Sequence, residues 1–128
     1  MAHRSRLAGF IVDCEVEDLD AAAAFWSGAL GMPVIDPDAG DGTAEYQQLG
    51  NTPADLHVEL QKVAHPSRVH LDIESDDIDA EADRLEKLGA KKIAFVKRWW
   101  VMEAPSGHRF CVVRMQHPEQ GAPPNEWP

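Results

Sequence analysis

A twelve-residue pattern occurs twice in this chain, and few folds accommodate that. Phe10–Ala21 reads FIVDCEVEDLDA and Val69–Ala80 reads VHLDIESDDIDA, at a constant offset of 59 residues. Asp13/Asp72, Glu15/Glu74, Asp18/Asp77, Asp20/Asp79 and Ala21/Ala80 are identical pairs. Each copy begins with alternating apolar and polar residues, the period of a half-buried strand. In the second copy Val69, Leu71 and Ile73 alternate with His70, Asp72 and Glu74. Phe10, Val12, Cys14 and Val16 form the matching face of the first. Each strand runs through an acidic capping cluster into a helix pattern closed by glycine, Gly31 and Gly89. A repeat with two copies points to paired modules and away from a solenoid. Two strand–helix units that reached similar capping chemistry separately are the alternative.

The helices are expected at 18–30 and 77–88. Leu19, Ala22, Ala23, Trp26 and Leu30 stripe the first; Ile78, Ala82, Leu85 and Leu88 stripe the second. After the first helix, Val34-Ile35 reads as a short edge strand and Asp36–Gly42 as a turn-rich loop. Strands are expected at Thr43–Leu49 and Leu56–Val63, then Lys91–Lys97, Arg98–Ala104 and His108–Met115. Each module thus reads strand, helix, then up to three strands, with bounds at 7–63 and 68–115. The hydrophobic faces place Phe10, Val12, Val69, Leu71, Ile73, Trp26 and Leu85 between sheet and helix. Residues 116–128, with four prolines, read as an extended or partly disordered C-terminal tail that Trp127 pins down.

Size and charge narrow the partners. A chain of 128 residues suffices for one domain with its own core. Its formal charge of −10 repels phosphate, so neither nucleic acid nor an anionic membrane is an expected partner. No stretch is apolar enough to span a bilayer, and MAHRSRLAG lacks the hydrophobic core of a signal peptide. Cys14 and Cys111 form no CxxC pair and fit a reduced, cytoplasmic setting.

A strand–helix–strands module repeated in this way, with these motifs, resembles the glyoxalase, bleomycin-resistance and extradiol-dioxygenase superfamily, also called vicinal oxygen chelate. The matching segments are FWSGALGM at Phe25–Met32, HVELQKV at His57–Val63, HLDIE at His70–Glu74 and APSGHRFCVV at Ala104–Val113. The nearest subgroup in pattern is the glyoxalase-like domain. The resemblance implies an α+β fold of two pseudo-symmetric βαβββ modules, a curved mixed sheet around a central cleft, and a homodimer. Enzymes of the superfamily hold a divalent metal on the first and last strands of each module. Carried over residue by residue, those positions are Ile11, Glu59, His70 and Cys111. Ile11 has no donor atom, and Cys111 replaces a carboxylate, so no tightly bound divalent metal is expected. Any ion present would use Glu59, His70 and Cys111.

His70 and Glu59 suit a general base or a ligand-anchoring pair, and equally a structural hydrogen bond across strands. Parity along strands adds His57, Gln61 and Asp72 to their face, and Arg109 to that of Cys111. Trp99 shares the parity of Val101 and Glu103 and offers a flat surface to an aromatic or cationic ligand; Trp99 and Trp100 at an interface are the alternative. The expected pocket is therefore His57, Glu59, Gln61, His70, Asp72, Trp99 and Arg109. Asp13 and its repeat partner Asp72 each read slightly more readily as a partner for loop backbone or arginine than as a ligand group, and Cys111 as a small buried residue. These readings converge on a protein that binds a small organic molecule without a tightly bound catalytic metal. The alternatives are a metal-dependent lyase, isomerase or dioxygenase, and an antibiotic-sequestering protein of the bleomycin-resistance kind.

Overall fold

The computed structural model describes residues 2–35 and 45–128. The turn-rich loop expected at 36–42 and the first residues of the strand expected from Thr43 lie outside the described residues. Among the described residues there are two α-helices and nine strands, in a mixed sheet, so the chain is α+β. It divides into two compact units, 10–69 and 1–9 with 70–128. The strand pairings establish the mixed sheet; a curved sheet and pseudo-symmetric halves go beyond them.

The unit at 10–69 begins with the second half of β1 (His3–Cys14). Asp18 caps α1 (Leu19–Leu30) by accepting a hydrogen bond from the Asp20 amide at 3.0 Å. Gly31, at φ 68°, ends the helix in the left-handed conformation that a side chain would strain. Strand β2 (Val34–Ile35) pairs antiparallel with β3 (Tyr46–Leu49), and β3 with β4 (His57–Lys62). The core of this unit is Cys14, Leu19, Ala23, Leu49, Val58 and Leu60, with Phe10, Val12 and Trp26 packed against it. Leu30, expected on the packed stripe, is largely exposed in the last turn of α1.

The other unit holds the first half of β1, then β5 (Arg68–Ser75) from His70 onward. Asp77 caps α2 (Ile78–Lys87), accepting from the Ala80 amide at 3.0 Å. Strands β6 (Lys91–Val96), β7 (Trp99–Glu103) and β8 (Arg109–Arg114) follow as an antiparallel run. Strand β8 pairs parallel with β5. Ile73, Ile78, Ala82, Leu85, Trp100, Met102, Phe110 and Val112 pack together beneath α2.

One expectation changes here. Val69 and Leu71, expected beneath the helix, are 58% and 49% exposed. Helix length accounts for this. Ten helical residues span about 15 Å, whereas eight strand residues span about 26 Å. Helix α2 therefore covers the Ile73 end of β5 and not its beginning. The end of the tail is extended, and it is paired. Strand β9 (Asn125–Trp127) pairs antiparallel with β1, His3 opposite Trp127. Arg6 anchors the segment before it, donating to the carbonyls of His117 and Ala122 at 2.8 and 2.6 Å.

Candidate functional site

In the parallel ladder between β5 and β8, Asp72 lies opposite Cys111. Paired residues of a parallel ladder point to the same face, and His70, two residues before Asp72, points there too. An imidazole, a carboxylate and a thiol thereby converge. One donor atom from each of His70, Asp72 and Cys111 lies within 4.8 Å of the others. His70 Nε2 is 3.5 Å from Asp72 Oδ1, and both side chains are about nine-tenths buried. The buried Asp72 Oδ1 accepts no hydrogen bond. A carboxylate oxygen withdrawn from water without a donor is costly, so this atom is open to a hydrogen-bond donor or a cation brought to it.

The same face extends along the neighbouring strands. Val101 lies opposite Cys111, and Glu103 lies opposite Arg109, joined to it by a 3.4 Å ion pair. Trp99 has the parity of Val101 and Glu103 and is half-buried, with Lys97 Nζ 5.8 Å from its ring centroid. Trp100 turns the other way. It packs beneath α2 against Phe95 and donates through Nε1 to Asp79 at 2.9 Å.

The remaining candidates belong to the unit at 10–69 and form their own groups. His57 Nε2 is 3.4 Å from Glu59 on β4, and Gln48 lies 3.3 Å from His57 Nδ1. Gln61 donates to the Tyr46 hydroxyl at 3.4 Å. Asp13 is buried beside Arg68 and His65, at 3.7 and 4.0 Å, in keeping with an arginine partner. Ile11 is buried and apolar.

Sequence reasoning missed a buried polar cluster. Glu81 of α2 is fully buried. Its Oε1 pairs with His3 Nε2 at 2.8 Å, and Arg84 binds both its oxygens at 2.8 Å. Burial pushes the Glu81 carboxyl up, but hydrogen bonds from Arg84, His3 and Ser5 outweigh it and hold it below the ordinary value. Arg84 stacks on Trp127, 3.9 Å from the ring centroid, and Trp127 Nε1 donates to Ser5 at 2.8 Å. One signal was visible: Glu81 stands three residues after Ile78 and four before Leu85, within the buried stripe of α2.

The profile of the glyoxalase-like domain matches residues 9–113, most of the chain. The protein belongs to the glyoxalase-like domain family. Several solved structures share its fold. Methylmalonyl-CoA epimerase from Mycobacterium tuberculosis aligns with TM-score 0.60 at 16% identity, over 86% of this chain and 87% of that one. A glyoxalase/bleomycin resistance protein/dioxygenase superfamily member from Vibrio splendidus 12B01 aligns with TM-score 0.55 at 15% identity, over 87% and 99%. Homoprotocatechuate 2,3-dioxygenase from Brevibacterium fuscum aligns with TM-score 0.56 at 17% identity, over 95% of this chain and 38% of that one. Among curated proteins, none matches this glyoxalase-like domain significantly. At these identities the likeness is one of fold.

The four-position metal set of the superfamily does not fit this glyoxalase-like domain. Ile11 offers no lone pair, and a thiol stands where a carboxylate would. The donor cluster that forms among the described residues is His70, Asp72 and Cys111, and it does not include Glu59.

Proposed function

We propose that this glyoxalase-like domain binds a small organic molecule on the β5–β8 face and does so without a tightly bound catalytic metal. One observation carries the reading: a nearly buried imidazole and carboxylate, the latter with an unbonded oxygen, sit beside a half-buried thiol. Trp99 and Arg109 lie on the same face of adjacent strands. A flat aromatic surface with a few polar groups of both signs is the usual character of a small-molecule site.

The metal-dependent lyase, isomerase or dioxygenase remains the second reading. It is favoured by the closeness of three donor atoms from His70, Asp72 and Cys111. We also read the protein as a homodimer, supported by the exposed Ile93 and Phe95 of β6. Its two free cysteines support the cytoplasm as its compartment. Among the described residues no helix is long and apolar enough to cross a membrane.

Fluorescence tests the binding reading. Small neutral aromatic and cationic metabolites that bind should quench Trp99. Trp99→Phe should abolish the response, and Trp100→Phe should leave most of it. A screen without quenching, or a signal carried wholly by Trp100, would contradict the placement of the site.

A further inference from the structure

We infer that Cys111 is a nucleophile, with His70 as its base and Asp72 as the residue that positions the imidazole, and that the site captures neutral α,β-unsaturated carbonyl compounds. This rests on reading the β5–β8 face as a small-molecule site. The two cysteines of the chain lie in opposite environments. Cys14 is buried in the core, its thiol pushed up by burial and then by the Asp13 charge, and it donates to the Val12 carbonyl at 3.3 Å. Cys111 is half-buried, with an imidazole and a carboxylate within 4.8 Å. Thiol, base and orienting acid in mutual reach form the arrangement that activates a cysteine, and such contacts are often loose before substrate binds.

The surroundings restrict the substrate. A thiolate is a soft nucleophile and favours soft carbon electrophiles. Asp72 beside it, and the −10 charge of the chain, disfavour an anionic ligand. The cluster supplies one base that can return one proton. Addition to an activated alkene needs nothing more. The Cys111 proton passes to His70, and the sulfur pair forms a bond to the β-carbon. The alkene π pair moves toward the carbonyl as an enolate, and the His70 imidazolium returns the proton to the α-carbon. One S–H and one C=C are consumed; one C–S and one C–H are formed. There is no leaving group and no net redox change. Asp72 Oδ1, 3.5 Å from His70 Nε2 and otherwise without a hydrogen bond, faces the imidazolium that forms. The other acidic groups on this face are held by cations: Glu74 of β5 by Arg6 at 2.6 Å, and Glu103 of β7 by Arg109 at 3.4 Å. Helix α2 packs beneath Phe110 and Val112, on the opposite face of β8.

Acrylamide labelling of the intact protein, followed by peptide mass spectrometry at about pH 6.5, near the ordinary imidazole value, tests this. Cys111 should label roughly 10²-fold faster than glutathione, the scale of general-base assistance, while Cys14 stays unlabelled. His70→Gln and His70→Asn should each remove that advantage with thermal melting unchanged. Asp72→Asn should slow Cys111 labelling and Asp72→Glu should restore part of the rate, while the melting temperature holds in both. Cys111 labelling no faster than glutathione, or at an unchanged rate in both His70 variants, would overturn the proposal. So would stoichiometric zinc whose removal by chelator is what exposes Cys111. Should Trp99 quenching by non-electrophilic ligands survive in Cys111→Ser while labelling shows no advantage, the binding site stands and the covalent step falls.

Discussion

At the scale of residues, the sharpest consequence concerns Glu81. Its carboxylate is fully buried between His3 and Arg84, and removing one partner of a buried pair leaves the other charge uncompensated. Glu81→Ala should destabilise by about 3–5 kcal/mol in urea unfolding. The pair also has a pH signature. The folded Glu81 carboxyl lies below its unfolded value. Its contribution is therefore fully present above the unfolded value and is lost as pH falls through the folded one. Wild-type melting temperature should drop on acidification across the carboxylate range, and Glu81→Gln should flatten that drop. By contrast, Leu71→Ala should cost under about 1 kcal/mol, because the side chain is half exposed. Burial under the helix would have made it about 2–5 kcal/mol, the range now expected for Leu60→Ala, whose side chain is fully buried. Paired unfolding curves of the two variants check this.

At the scale of elements, local signals and long-range pairings separate. Asp18, Asp77 and Gly31 were legible because capping is decided within a few residues. The alternation that puts His70 and Asp72 on one face of β5 is equally local. Cys111 joins them through the parallel β5–β8 register; no short-range pattern carries a pairing between strands so far apart, and it was the family resemblance that grouped Cys111 with His70. The His3–Glu81 contact bridges 78 positions and was invisible for the same reason. The exposure of Val69 and Leu71 depended on how far α2 reaches, which period-2 alternation does not encode. Strand β9 was hidden by the prolines before it, although Trp127 hinted at an anchor. That anchor can be released. Trp127→Ala removes the hydrogen bond to Ser5 and the stacking on Arg84, and should cost about 1–2 kcal/mol. Hydrogen exchange should then speed up at the β1 and β9 amides and leave β7 and β8 unchanged.

For the whole molecule, the repeat and four ordered motifs were enough to identify the superfamily, and the match over residues 9–113 agrees with them. The chemistry was less legible than the family. Glu59, chosen with His70 by analogy, belongs to a group with His57 in the unit at 10–69, while His70 is joined by Asp72 and Cys111. The central claim is that these residues serve a small organic molecule and not a resident catalytic metal. The most direct test is the metal content of protein purified without a histidine tag and without added chelator, measured by plasma mass spectrometry. Well under about one-tenth of an ion per chain is predicted, since the superfamily's donor set is incomplete at Ile11 and altered at Cys111. Nickel, zinc or iron at one per chain, lost on His70→Ala, would contradict it.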